Sequence, residues 1–464
     1  MLFNQDLLKY HRLPLVCILL SLILYASFVY NLVRTEALKL LLLYSALFVF
    51  AYILKKSLDS NASKPKISFG FLAIAAVLFR LVFLPAIPNL SQDFYRFIWD
   101  GRMLLEGFNP YLFTPDSFIL NGQFPISQAQ ELYNGMGALS ASHYTNYPPI
   151  NQLCFYFAAL FSGNNITGAV IILRLLIIAA DIGTLWFGKK LLEHLNLSAH
   201  RIWLYILNPF IIIELTGNLH FEGVMIFFLV WSLYLLQSGK WKWAAVVLAC
   251  SISVKLIPLM FLPIFFWWFP KEKNHRIPDL KKLIAFYSIV LITTAILFLP
   301  FFSMEFIDNY AQTVGLWFSN FEFNASIYYL AREIGYAITG YNEIKVIGKI
   351  MPLVSIAIIL CFSLFKKNNS LPKLAESMLL TFTFYLFLST TVHPWYIATL
   401  VILCLFTNYR FPIIWSAVIV LSYLSYLTIG TADKSENLWI IALEYGIVFS
   451  VFVYEVLLNR RLKI

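Results

Sequence analysis

The sequence predicts an all-α, polytopic membrane protein, and three observations carry that prediction. The 464-residue chain is 60% apolar and 12% charged, with a mean hydropathy of +0.76, more apolar than the core of a water-soluble domain requires. Apolar runs close to the ~20 residues that an α-helix needs to cross ~30 Å of hydrocarbon recur from Leu13 to the C-terminus. The ~10-residue alternating segments of a β-barrel are absent, and backbone groups in lipid must pair internally, so the spanning elements are helices.

Taken in order, the first run (13–33) follows Lys9 and Arg12 but is too long for a signal-peptide core and lacks a small-residue cleavage site, so it is a retained span. Spans follow at 40–54 and 67–86, and the chain then emerges as a long outer segment, 87–149. Residues 148–163 form a short or re-entrant helix, with spans at 166–188, 202–217 and 221–237 beyond it. Segment 243–269 is expected as two half-helices broken near Lys255 and Pro258. A span at 283–302, a second outer segment (303–345) and spans at 346–365, 374–391, 395–408, 411–428 and 438–458 complete the chain, about twelve to fourteen transmembrane segments in all. No internal repeat or linker divides it, so 1–464 reads as one domain.

The net charge of +10 is not a nucleic-acid footprint, because the basic residues are scattered through short loops. Clusters at Lys55/Lys56, Lys189/Lys190, Lys271 to Lys282, Lys366/Lys367 and Arg460/Arg461 fall on one side of this alternation, which orients the N-terminus to the cytoplasm. Cys17, Cys154, Cys250, Cys361 and Cys404 lie singly in apolar runs and read as buried free thiols.

The concentrated polar motifs then all face the outer side. "SQDFYRFIWDGRMLLEGFNPY" starts just after a span, and Asp93 and Asp100 stand two helical turns apart, on nearly one face. An interfacial helix with solvated acids has the same composition. A carboxylate at a hydrophobic boundary, however, gains the raised pKa that suits a general base. Asp100 either assists or holds Arg96 or Arg102 in place. "TNYPPINQ" (145–152) returns the chain to the membrane through a rigid Pro-Pro pair. "NLHFEG" (218–223) brings His220 and Glu222 together, with Glu214 deeper in the preceding run. Lys255 marks the break between half-helices, where free backbone N–H groups and a cation favour an anion. Arg332 and Arg80 are further candidates for a phosphate grip, against the simpler reading of snorkelling or pairing with acids. Arg174 and Asp181, seven apart, are most simply a mutual or interhelical pair. His393 opens "TVHPWY" at the interface, and a metal site from His220, Glu222 and His393 is the weaker use of those residues. Trp317, Phe318, Phe321 and Phe323 read for the most part as packing, with lining for sugar or lipid as the alternative.

In this order, "DFYRFIWDGRMLLEGFNPY", "YPPINQLCFYF", "LNPFIIIELTGNLHFEGV", "SVKLIPLMFLP", "FNASIYYLAR" and "VHPWY" resemble the GT-C superfamily of integral-membrane glycosyltransferases over residues 67–408. The closest likeness is to bacterial polyprenyl-phosphate-mannose-dependent mannosyltransferases. The resemblance implies a GT-C-type helical bundle with short interfacial helices in the long first outer loop. It also implies an inverting transfer of a hexose, mannose by the closest likeness, to a lipid-linked or cell-surface glycan at the outer face of a bacterial cytoplasmic membrane. Asp93, Asp100 and His393 are then the catalytic candidates, and Arg96, Tyr147, His220, Glu222, Lys255 and Arg332 the substrate-binding ones. The partners implied are membrane lipid, the polyprenyl-phosphate-linked sugar and the acceptor, with no nucleic acid, no cofactor and no divalent metal. Relatives commonly carry an Asp where "HFEG" has Glu222. A lipid-linked-glycan transporter and a polymerase or ligase using diphosphate-linked donors are the alternatives, though a transporter would favour internal repeats and a midplane site.

Overall fold

The computed structural model describes residues 11–59, 67–271, 274–319, 321–428 and 436–458; Lys9, Arg460 and Arg461 and the side chains of Trp317 and Phe318 lie outside what it describes. Seven helices among the described residues are long and apolar enough to cross a membrane: Arg12–Asn31, Ala37–Ser57, Ile166–His194, Leu280–Phe301, Ile344–Leu364, Leu371–Leu388 and Leu438–Leu457. Leu280–Phe301 is only 17% buried inside the protein and faces lipid. Leu371–Leu388 is 72% buried and central, and its Ser377, Thr381 and Thr383 are tolerated there because each donates its hydroxyl within the protein.

The remaining apolar runs are shorter or broken. The 243–269 region divides as expected, into Trp241–Ile252 and a 3-10 segment Ile257–Trp267, with Lys255 in the break and Pro258 and Pro263 beyond it. The return after the first outer segment is the 14-residue helix Pro149–Ser162. The expected continuous span at 202–217 is instead a series of short turns. Pro209 has no N–H to extend the preceding turn, the Asn208 side chain caps Phe210, and Ile212–Gly217 winds as a π-helix. That segment meets Glu222–Gln237 at 115°, through Leu219 with a left-handed φ of 62°. A bulky residue in that conformation is strained and is held only by its surroundings, here complete burial.

Chain alternation brings Asp93, the 147–152 stretch, the 218–222 bend, the Lys255 break and residues 321–326, 389–396 and 436 to one end of the bundle. Hydrogen bonds tie that end together: Ile150 N–H to Ser253 O (2.9 Å), Phe323 N–H to Thr390 O (3.1 Å) and Val392 N–H to Phe323 O (2.8 Å). Both long segments dock there, with Asn309 donating to Tyr111 O (3.1 Å) and the Tyr310 hydroxyl to Asn146 O (3.2 Å). At the other end Lys366 pairs with Glu376 and Arg201 donates to Leu405 O and Thr407 O. A small hairpin of Pro270–Lys271 and Asn274–Pro278 supplies the only named strands among the described residues.

Candidate active site

Asp93 opens the helix Asp93–Leu105, so its carboxylate lies where the helix dipole favours negative charge. Its backbone N–H donates to Ser91 Oγ (3.3 Å), and the residue is half-buried. Burial raises its pKa above the ordinary aspartate value, partly offset by the Lys255 charge, reinforced by Glu222 and opposed by Arg34. Desolvation therefore outweighs the cations, which is the environment of a base stronger than a free carboxylate.

Asp100 is differently placed. It is fully buried, with one oxygen accepting from Arg96 Nε (2.8 Å) and the other from Gln152 Nε2 (3.0 Å). Arg96 also donates to Ser140 O (2.6 Å) and His143 O (2.9 Å), and Gln152 to Thr145 Oγ1 (3.0 Å). Together they fasten the 140–152 stretch to the Asp93 helix. The two aspartates thus have different partners, and Arg96 Nε and Nη1 are held by Asp100 and the two carbonyls, while its buried Nη2 has no hydrogen-bond partner among the described residues. Arg102 turns elsewhere, to Ser127 O and Gln128.

Lys255 Nζ lies 3.1 Å from Glu222 Oε1 and 5.1 Å from the centroid of the Tyr147 ring. Tyr147 is fixed from below by the Tyr111 hydroxyl on its carbonyl (2.6 Å) and edge-on by Phe97 (5.0 Å). The Glu222 carboxylate is completely buried, and apart from this ion pair neither oxygen has a hydrogen-bond partner among the described residues. The N–H groups of Ser253, Val254 and Lys255 bond back to the preceding turn, whereas those of Leu256 and Ile257, which open the second half, make no backbone hydrogen bond among the described residues. The ammonium and these two amides are the anion-seeking groups in that place.

Trp395 stacks on two imidazoles, His220 at 3.7 Å and His393 at 4.5 Å, and Phe323 stacks on His393 at 5.3 Å. Burial, aided by the Lys255 charge, pushes the His393 pKa down to about 3, so its imidazole is neutral. His220 Nε2 approaches Glu214 to 3.8 Å, and Glu214 accepts the Tyr423 hydroxyl at 2.9 Å. No group of three or more His, Cys, Asp or Glu side chains among the described residues has metal-holding geometry.

Arg332 is not brought into this cluster. Its guanidinium is divided between Glu322 (2.6 Å) and Glu333 (3.0 Å) and lies over Tyr329 at 4.4 Å. Arg80 likewise stays inside the bundle, on Asp181 (2.7 Å), so Asp181 pairs between helices, one of the two expected arrangements, and not with Arg174.

Residues 18–271 match the family described as alpha-(1->6)-mannopyranosyltransferase, N-terminal domain. The chain belongs to that family. An alpha-(1->6)-mannopyranosyltransferase A of Corynebacterium glutamicum is 22% identical over 374 residues, covering 75% of this chain and 72% of the relative. Its namesake from Mycobacterium tuberculosis is 23% identical over 194 residues, 42% of this chain and 36% of that one.

The family stretch carries Asp93, Tyr147, His220, Glu222 and Lys255, whereas Trp395, His393 and Arg332 lie beyond it. Four residues around this candidate site escape sequence reasoning. Arg34, whose charge reaches both Asp93 and Glu214, stands in the short turn between the first two spans; its signal is a basic residue on the basic-poor side, beside Lys39, which pairs with Glu36. Trp395 reads from sequence as an interface marker only. Glu436 and Glu444 hold Asn324, next to Phe323, by its backbone N–H (2.9 Å) and its side chain (3.2 Å), and nothing local to 436–444 announces that.

Proposed function

We propose that this chain transfers a mannosyl residue from a polyprenyl-phosphate-linked donor to a hydroxyl of a lipid-linked or cell-surface glycan, at the outer face of a bacterial cytoplasmic membrane. The observation that carries the reading is a half-buried, strengthened carboxylate, Asp93, which feels the Lys255–Glu222 pair at the break between two half-helices. Asp93 takes the proton of the acceptor hydroxyl while that oxygen attacks the anomeric carbon. The bond from that carbon to the phosphate oxygen breaks, and the polyprenyl phosphate leaves with the electron pair, its charge met by Lys255. Attack opposite the phosphate inverts the anomeric centre, so the alpha linkage named for the relatives requires a β-configured donor. His393, neutral, and His220, both fixed by Trp395, offer hydrogen bonds to sugar hydroxyls.

The basic clusters at Lys189/Lys190 and Lys366/Lys367 lie at the end of the bundle away from this site, which supports an outer-face orientation by the positive-inside rule. The gathering of Asp93, Glu222 and Lys255 at one end also fits a transferase better than a transporter with a midplane site. The test is to incubate the purified protein in lipid nanodiscs with labelled polyprenyl-phosphate mannose and a membrane-lipid extract, with and without chelator. Label should pass to a glycan or glycolipid in both conditions and not with Asp93→Asn. Failure to use this donor while a nucleotide- or diphosphate-linked sugar serves would overturn the donor, and full activity of Asp93→Asn would overturn the base.

A further inference from the structure

Arg174 is completely buried in the helix Ile166–His194, and its guanidinium is committed to backbone. Nε donates to Thr216 O (2.8 Å) and Nη2 to Gly217 O (2.9 Å). Nη1 is shared among Phe83 O (2.5 Å), Leu84 O (2.8 Å) and Ala86 O (2.8 Å). No carboxylate is among these contacts. The carbonyls belong to two places where regular helix ends inside the bundle: the turn after Phe69–Leu81 and the close of the π-helix Ile212–Gly217. Both are helix C-termini, where unsatisfied carbonyls carry partial negative charge, so one cation satisfies both.

Each of these helix ends leads directly into one half of the site. Seven residues after Ala86 comes Asp93, on a connection pinned by Asn89, which donates to Phe28 O (2.9 Å) and Leu32 O (3.2 Å). Immediately after Gly217 comes the strained bend at Leu219, with His220 and Glu222. The two ends also touch directly: a Cβ added at Gly217 would come within 2.9 Å of the Phe83 ring.

We infer that Arg174 is a positioning residue, which bolts the turn leading to Asp93 against the bend carrying His220 and Glu222 and so sets the distance between the base and the second acid. The inference rests on the reading of Asp93 as base. Lysine in its place keeps the charge but has three donors on one atom, too few and too compact to span five carbonyls on two segments.

The experiment compares Arg174→Lys, Gly217→Ala and Asp93→Asn in nanodiscs, with folded fraction measured by size exclusion and thermal melting and rates expressed per folded molecule. Arg174→Lys should lower kcat for mannosyl transfer at least tenfold with donor KM within about threefold, since the backbone of Lys255 belongs to a separate break, between Trp241–Ile252 and Ile257–Trp267, and should shift the acid limb of the pH profile because Glu222 raises the Asp93 pKa. Gly217→Ala, which wedges the same junction against Phe83 without touching the charge, should reproduce that split and remains available if Arg174→Lys fails to fold. Wild-type kcat and pH limb per folded molecule in either variant would overturn the positioning role. An active Asp93→Asn would overturn the base assignment instead, so the two failures are distinguishable.

Discussion

Replacing Lys255 by methionine strands a buried carboxylate, and a second substitution tells what the lysine is for. Its ammonium is 3.1 Å from Glu222, whose side chain is fully buried, while the lysine side chain itself is 21% exposed. Removing one partner of a buried pair costs ~3–5 kcal/mol; the access of water to Lys255 argues for the lower end, about 3 kcal/mol. Glu222→Gln in the same molecule removes the stranded charge, so the double variant should regain most of the lost thermal stability. Transfer should behave differently. If Lys255 meets the charge on the departing phosphate, its loss costs ~10²–10³ in kcat, as removal of one donor to a developing anion does. The double variant should then be nearly as stable as wild type and nearly as inactive as the single one. The assay pairs melting curves in nanodiscs with the rate of label transfer from polyprenyl-phosphate mannose. A double variant that recovers transfer to within tenfold of wild type would show that Lys255 serves only as the counter-ion of Glu222, and the phosphate grip would have to be sought elsewhere.

Asp93→Asn should cut transfer by ~10²–10⁴. Because the folded-state pKa of Asp93 is raised, its charged form penalises the fold above that value and the penalty disappears below the ordinary aspartate value, so the variant should melt no lower than wild type at neutral pH and lose any advantage in acid. The wild-type rate should fall with acidification at a higher pH than for an exposed aspartate, with no limb near neutrality from His393, which titrates at about 3. Asp100→Asn should instead destabilise by ~3 kcal/mol, since it leaves Arg96 buried without its counter-charge, visible as a lower melting temperature together with reduced activity. Arg332→Gln should loosen the 322–342 segment in hydrogen exchange while donor KM stays unchanged, because its partners are Glu322 and Glu333; a large rise in KM would put Arg332 back at the phosphate.

The sequence yields the course of single segments more readily than contact. An apolar run tells how much of a segment lies in lipid, and Pro258 beside a lone lysine is enough to divide 243–269 at the right place. The same signal misleads at 202–217, because apolarity is blind to whether hydrogen bonds run unbroken, and Asn208-Pro209 ends one turn and begins another without any drop in hydropathy. Pairing within one helix is also legible: Arg96 and Asp100 are four apart and do meet. Pairings across the chain are not. Gln152 reaches Asp100 across 52 residues, and Arg332 is claimed by a glutamate ten residues upstream whose own position depends on the strand-like pairing of Phe323 with Thr391.

The same distinction explains why a glutamate and not a smaller acid can stand at position 222. A lysine in a greasy cleft with no counter-charge tends to give up its proton, and a neutral amine cannot meet a phosphate. Glu222 supplies that counter-charge from a helix N-terminus, yet makes no other hydrogen bond among the described residues that would hold its oxygens in place. Its longer side chain lets it reach Lys255 from the bend. On the proposed reading the ion pair is thus the resting state of the donor site, with Glu222 the counter-ion of Lys255 between turnovers. Glu222→Asp, with a shorter reach, should weaken donor binding less than it slows transfer, because Glu222 acts through its ion pair with Lys255 and the field at Asp93 more than through contact with the sugar.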